Sequence, residues 1–483
     1  MTALPSRILV PVIVACALFM ENLDATVLAT SLPAIARDMG EDPIALKLAL
    51  TSYLLSLAVF VPASGWMADR FGAKRIFRLA LAIFMLGSVF CGFASTLTDF
   101  VLARIVQGLG GAMMVPVGRL VILRSVPKSE LISALAWFTI PALVGPIAGP
   151  PLGGFITTYF SWRWIFYINI PIGLLGLALV TRYIEDIREE NPPPLDAIGL
   201  LLLGVGLSGL VFGLSVLGQG LVPLWAALAM MALGGLFCWL YARHAVRTPH
   251  PLLDLGLMRI PTFRASILGG SLIRIAMGAT AFLLPLLFQV GFGLTAFASG
   301  MLTFVTAIGA LLMKFTAAPI LTRFGFRNVL VVTALISAGF VCSFSLFTAA
   351  TPHTVILGAL LVAGFFRSLQ ISAVNTLIYA DLAPDSMSQA TSFASAGIQL
   401  SLSLGVAIAA LTLEAEQTAR GDSVILVNDF VTAFLVVGVI GAIAAVIFWR
   451  LPSDAGSELT GKVNETAGIA DPASSGRSSG APD

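Results

Sequence analysis

The chain has 483 residues, 58% of them hydrophobic and 11% charged, with a net charge of +2 and a mean hydropathy of +0.97. These values exclude an ordinary soluble domain, and the lack of a Lys/Arg block disfavours nucleic-acid binding. They define an all-α integral membrane protein, built from helices of roughly 20 mostly apolar residues.

Fourteen such runs can be placed, at about 8–30, 46–66, 76–94, 99–123, 131–158, 164–182, 195–217, 222–241, 263–288, 296–320, 328–348, 354–380, 389–412 and 428–450. The first is too long and too acidic at its far end for a cleavable signal peptide, so it is expected to stay as the first helix. It contains MENLDATVLATSLP, and Glu21 and Asp24 in that stretch are the only two of 25 acidic residues placed well inside a span. A charge in the hydrocarbon core costs ~2.5–3.5 kcal/mol on insertion scales, so a buried acid there faces a cavity or a partner. Three residues of helix turn through about 300°, which leaves the two carboxylates within roughly 60° of each other on one face. Burial and a like-charged neighbour both favour the neutral acid, which suits the pair to loading and releasing a proton. Two other readings stay open: an ion pair with a buried Arg that fixes helix packing, and direct contact with a cationic substrate.

After the second span comes Gly65-Trp-Met-Ala-Asp69-Arg70-Phe-Gly72-Ala-Lys74, which recurs after the tenth as Ala318-Pro-Ile-Leu-Thr322-Arg323-Phe-Gly325-Phe-Arg327, shifted by 253 residues. The echo implies two six-helix halves with a two-helix insert between them. The expected domains are therefore 1–190, 191–248 and 249–451, followed by a disordered cytoplasmic tail at 452–483 rich in Ser, Gly, Ala and Asp. Parallel repeats of this kind are one plan of secondary transporters, with the substrate site between the halves near the midplane. The loop itself, with Gly65, Asp69, Arg70, Gly72, Lys74 and, in the second copy, Arg323, is suited to inter-helix pairs that close the cytoplasmic side.

The fourth span carries Arg104, Gln107 and Gly108 and, about four turns on, Arg119. Arg104 stays charged in apolar surroundings and can attract the ionised form of an acid on the first helix. In the fifth span Gly145, Gly149 and Gly153 recur every four residues, a stripe that permits close backbone approach. Pro146, Pro150 and Pro151 bend that helix. In the second half Arg274, Lys314 and Arg367 fall within spans, where snorkelling or a structural ion pair competes with a cavity role. The four cysteines are dispersed through the spans and are expected as packing residues, and the three histidines lack metal-ligand spacing and are expected to be solvated. Even-numbered connections and both termini hold 18 of the 27 Lys and Arg residues and the opposite side 4, which places both termini in the cytoplasm.

Taken together, Gly65-x3-Asp69-Arg70-x-Gly72-x-Lys74, Arg104-x2-Gln107-Gly108 and Gly145-x3-Gly149-Pro150-x2-Gly153-Gly154 resemble the signature motifs of the major facilitator superfamily, the last being the mark of its antiporters. Leu23-Asp24-x-Thr26 through Leu32-Pro33-x-Ile35, the run Trp162–Pro171 and Gln289-x3-Gly293 resemble the fourteen-span drug:proton antiporters. The resemblance covers about 8–450. It implies a major-facilitator-type fold and export of varied amphipathic or cationic compounds in exchange for protons. It also implies roles: Asp24 as proton site, Arg104 as coupling residue, Gly149, Pro150, Gly153 and Gly154 with Gly145 as the antiporter bend, and Asp69 and Arg70 in the cytoplasmic gate. Glu21 is outside the common motif, so its part in proton loading rests on its position alone. Two positions depart from the pattern: Ala29 replaces a common asparagine, and Thr322 replaces the acid of the second gate copy.

The expected protein is a proton-driven efflux antiporter of the bacterial inner membrane, in contact with lipid and working as a monomer. Its partners are protons and a small-molecule substrate, with Arg119, Arg274, Gln289 and Arg367 as candidate cavity residues. No cofactor, metal or enzymatic constellation is expected. The alternatives are a dedicated exporter or a proton symporter of one metabolite, and a non-transporting membrane sensor. The insert at about 195–241, nearly free of charge, is expected to face lipid outside the transport path; deleting it should leave transport in reconstituted vesicles at the wild-type rate, whereas lost substrate binding in a folded deletion would refute that placement.

Overall fold

The computed structural model describes residues 6–125, 144–145, 148–185, 194–217, 222–249, 251–314, 316–382, 386–421 and 424–456. Thirteen helices among them are long and apolar enough to cross a membrane. Of the expected fifth span, 144–145 and 148–158 are described and helical. Pro146, the tail from 457, His250 and most of the linker at 185–194 lie outside the described residues.

The helices are α1 (Ser6–Met39), α2 (Lys47–Phe71), α3 (Ala73–Phe93), α4 (Leu97–Ser125), α5 (148–159) and α6 (Trp164–Tyr183) in the first half. Next come α7 (Ala197–Val216) and α8 (Leu224–Ala245), then α9 (Pro261–Leu286), α10 (Ala296–Lys314), α11 (Phe326–Ser343), α12 (His353–Leu377), α13 (Met387–Arg420) and α14 (Asp429–Trp449). The first half packs α3 on α4, α2 on α4, and α6 on both α1 and α3; the second packs α11 on α12, α10 on α12, and α14 on both α9 and α11. Each pair in one half thus has its counterpart eight helices later. The fold is two six-helix bundles with two additional helices between them in sequence.

The recurrent loop has a backbone reason. Gly72 ends α2 at φ +97°, and Gly325 ends the short helix Ala317–Phe324 at φ +74°. Each donates its N–H to the carbonyl four residues back, at 3.0 Å for both. A left-handed residue reverses a helix into the next one at once, and glycine adopts that conformation without a Cβ clash.

Between the bundles, α13 lies along α2, α1 touches α9 and α10, and α5 meets α10. The α5–α10 approach is close enough that a Cβ on Gly300 would fall 2.2 Å from the Pro150 carbonyl oxygen, and one on Gly154 2.5 Å from the Ala296 carbonyl oxygen. At the same end of the bundle Lys47, the first residue of α2, donates to Glu414 of α13; both are buried. The molecule is therefore shut between its halves at the end that carries the α1–α2 and α9–α10 loops.

Two sequence expectations are corrected here. Glu21 and Asp24 are not the only acids inside spans: α13 runs to Arg420, well past the apolar run that ends at about 412, and so encloses Glu414. Buried Asp429 opens α14 and receives hydrogen bonds from Arg420 at 2.6 and 3.1 Å. Nor is His244 simply solvated, because its Nε2 lies 2.7 Å from Asp196 Oδ1. Burial works to raise the Asp196 carboxyl, but hydrogen bonds with His244, Gly199 and Leu252 together hold it below the usual carboxylate range.

The helices α7 and α8 pair through glycine: a Cβ on Gly234 would lie 2.5 Å from the Leu210 backbone nitrogen. Through α7 the pair rests on α2 and α13, while Trp225, Leu233 and Trp239 of α8 are exposed.

Gly300→Ala should force α5 and α10 apart at the closed end. In a background without native cysteines, a cysteine placed at Phe297 should then react several-fold faster with a membrane-impermeant maleimide; unchanged labelling would show that the glycine contact does not hold the seam.

Candidate functional site

The acid at the centre of the first bundle is fully engaged. Asp24, 3% exposed, accepts from Arg104 Nη1 through Oδ2 at 2.6 Å, and from Gln107 Nε2 at 2.8 Å and Asn169 Nδ2 at 3.0 Å through Oδ1. Gln107 and Asn169 both also donate to Ser88 Oγ, at 2.9 and 3.2 Å. The network therefore joins α1, α3, α4 and α6 through one carboxylate. Arg104 is fully buried, its Nε donating to the Ala49 carbonyl and its Cζ lying 4.1 Å from the centre of the Tyr53 ring. A buried ion is tolerated when charge and lone pairs are met together, and a cation over an aromatic face adds to that.

Glycine decides why the network fits. A Cβ on Gly87 would strike the Gln107 backbone at 2.5 Å, and one on Gly108 would strike Ser56. Gln107 and Gly108 stand side by side in sequence because one supplies the polar bridge and the other lets α4 approach α2.

Glu21 is half-buried one turn before Ala25, and its Oε2 has no hydrogen-bond partner. Arg104 Nη2 and Tyr53 Oη are also without one. Asp24 is thus saturated, while groups beside its partner keep spare capacity. The sequence signal singled out Asp24, Glu21 and Arg104 but gave no reason to choose Ser88 or Tyr53, which look like ordinary span residues. Asn169 was within reach, since it lies in the run Trp162–Pro171.

The glycine stripe of α5 faces α1. Added Cβ atoms on Gly145, Gly149 and Gly153 would meet Asn22, Thr26 and Thr30 at 2.9, 1.9 and 2.7 Å. Gly154 and Pro150 face α10 on the other side. The residues expected at a gate occupy the opposite end: Arg70 and Arg323 are exposed, Asp69 and Lys74 half-buried, and a Cβ on Gly65 would meet nothing.

Between the bundles lies a cavity of about 360 Å³, a size suited to a small organic ligand. Its walls come from α1 (Ala25, Thr26, Ala29, Thr30), Pro150 of α5, and α9, α10 and α12. Of the four residues expected at a cavity, Arg367 lines this one. Arg274, 5% exposed, is tied to it through Asn375, whose Oδ1 accepts from Nη2 at 2.7 Å. Gln289 lies in a π-helical turn, Leu287–Gly291, just after Pro285, and donates to the Thr30 carbonyl at 2.8 Å, bridging the halves. Arg119 is exposed and does not line the cavity.

A polytopic helical protein with paired bundles, a central cavity and a buried ion pair beside it is a membrane transporter by architecture. The family model of the Major Facilitator Superfamily matches residues 14–261 and 266–477, and the chain belongs to that superfamily. It is 38% identical over 449 residues to the candidate multidrug resistance protein MdtD of Salmonella typhimurium, covering 92% of this chain and 94% of that one. The corresponding protein of Klebsiella pneumoniae is 38% identical over 452 residues, with 92% and 95% covered. Among solved structures, a D-xylose-proton symporter shares the fold at a TM-score of 0.66 and 16% identity, over 93% of this chain and 98% of that chain. A bacterial homolog of the human lysosomal transporter Spinster, in an inward-facing and unoccupied conformation, shares the fold at a TM-score of 0.63 and 16% identity, over 95% of this chain and 99% of that chain. The chain is a multi-pass transporter of multidrug type, and its relatives are transporters, not enzymes.

Removing one member of the central pair strands the other. Arg104→Met should destabilise the purified protein by about 3–5 kcal/mol, read as a lower melting temperature, whereas Arg104→Met with Asp24→Asn should recover much of that loss. Equal melting temperatures for single and double variants would show that the pair is not coupled.

Proposed function

We propose that the protein is a proton-coupled antiporter that exports amphipathic small molecules across the bacterial inner membrane by alternating access, with both termini in the cytoplasm. The observation that carries the reading is the two-sided placement of α1. One face holds Asp24 in the sealed network, and residues one and two positions further on, Ala25 and Thr26, line the cavity.

A proton on Asp24 cancels the charge that Arg104 Nη1 faces and removes an acceptor site from Gln107 and Asn169. Arg104 remains cationic and can turn its free Nη2 towards Glu21. Because α1 also carries Thr26 and Thr30 against the α5 stripe, a small rotation of α1 alters the cavity wall and the α5–α10 seam together. At the seam carbonyl groups lie against glycines, so the backbones approach closely, while Phe155 and Tyr159 of α5 also meet the ring of Phe297, whose backbone N–H donates to Thr158 Oγ1. Lys47 and Glu414 tie the same end shut. The deprotonated, substrate-loaded carrier separates its halves there; a proton taken up from the outer side then favours release of the substrate outward and the return of the carrier, and proton loss inward resets the pair. The charge asymmetry of the loops supports the orientation, and the exposed Arg70 and Arg323 stand at the cytoplasmic end. Cycling needs no cofactor beyond the proton gradient.

The test is efflux of a panel of amphipathic dyes, anionic and cationic, from energised cells. Wild-type efflux of at least one dye should collapse with a protonophore, and Asp24→Asn at matched membrane levels should lose at least about tenfold in rate, the effect of removing an essential transfer group. Full efflux by Asp24→Asn would remove Asp24 as the proton site.

A further inference from the structure

The charge lining the cavity is of one sign. Of its 20 lining residues only Arg367 is charged, and behind it stands Arg274, joined through Asn375. Neither guanidinium has a carboxylate within ion-pair distance among the described residues, and Arg367 makes no hydrogen bond there. Glu21 is not a lining residue, and Asp24 is spent on Arg104.

Snorkelling does not account for either residue. Arg367 lies 14 residues from the start of α12 and 10 from its end, and 10 residues of helix span about 15 Å, beyond the reach of an Arg side chain to either interface. Arg274 is 13 residues into α9 with 12 to follow. Two permanently charged groups held at mid-membrane without counter-ions are costly unless something negative occupies the site during the cycle.

The rest of the wall defines what that occupant looks like. Along α12, Arg367, Ile371 and Asn375 form one i, i+4, i+8 stripe on the cavity. Hydroxyls of Thr280, Thr303 and Thr306 provide neutral polar contacts, while Ala25, Ala29, Pro150 and Leu284 are apolar. A guanidinium presents two parallel N–H donors that match a carboxylate.

We infer that the cavity binds an amphipathic organic carboxylate, its anionic end on Arg367 with Arg274 and Asn375 behind, and its apolar body against the α1–α5 wall. Resting on the transporter reading, this narrows the amphipathic or cationic compounds implied by the family resemblance to amphipathic anions. Lipophilic cations are repelled by the same two guanidiniums.

The experiment compares fluorescein, an amphipathic carboxylate, with the methyl ester of rhodamine, a cation on the same tricyclic frame. Binding to the full-length protein in zwitterionic nanodiscs is read by fluorescence anisotropy. The wild type should bind fluorescein at least tenfold more tightly than the rhodamine ester. Arg367→Gln should weaken fluorescein tenfold or more, Arg367→Lys should fall between, and Arg367→Glu should reverse the preference, each variant being checked for a wild-type elution profile. Adding phosphatidylglycerol to the discs should leave fluorescein binding unchanged; displacement would assign the guanidiniums to lipid headgroups and overturn the inference. So would tighter binding of the cation, binding of neither dye, or equal affinities in wild type and Arg367→Gln. If fluorescein binds through Arg367 but its uptake into everted vesicles ignores the proton gradient, the antiport reading falls and the anion site stands.

Discussion

The hydrogen-bonded ion pair of Asp24 and Arg104 is the constraint around which the first bundle is arranged. Two opposite charges deep in a bundle persist only with their remaining hydrogen-bonding capacity largely met. Meeting it draws a glutamine from α4 and an asparagine from α6 onto a single carboxylate, and both of these also donate to a serine of α3. Four helices are thus held by one group whose charge changes with a proton. A hydrophobic core of the same size would hold them as firmly but would have no second state.

A different kind of contact joins the two bundles. Where α5 meets α10, Gly154 and Gly300 let backbone lie against backbone, with the Phe297 ring packed beside Phe155 and Tyr159. In the membrane such surfaces adhere through close dispersion contacts and not through the exclusion of water, so they part at modest cost. An ionic tie between the bundles, Lys47 of α2 with Glu414 of α13, is placed at the end that is shut. The bundle interior is fixed by polar specificity and the interface by smoothness, a division suited to rigid halves that move against each other.

The cavity draws on both halves unequally. Its first-bundle wall is small and uncharged, and its second-bundle wall carries the guanidinium. The buried carboxylate of Asp24 and the cavity-lining guanidinium of Arg367 therefore lie in different bundles, and α1 is the element common to the buried network and the cavity surface.

Much of the architecture was legible in the sequence because lipid imposes a simple rule: a span must be a long apolar helix, and length and hydropathy reveal it. The repeat was legible because Gly72 and Gly325 must both adopt a left-handed turn. Asp24, Glu21 and Arg104 stood out because charge is rare in spans, and the glycines of the fifth span because they recur every four residues and so fall on one helix stripe. What the chain alone could not state was pairing. Glu414 looked like a span-end acid until α13 proved long enough to bury it against Lys47, 367 residues away. Arg367, Arg274, Gln289 and Arg119 were equivalent candidates by composition, and only helix rotation and bundle contact separated them into, respectively, a cavity wall, a supporting residue, a bridge and an exposed side chain. Hydropathy is a property of each residue by itself, so sequence determined which segments enter the membrane; which charge meets which depends on distances between segments, and tertiary structure alone decided that.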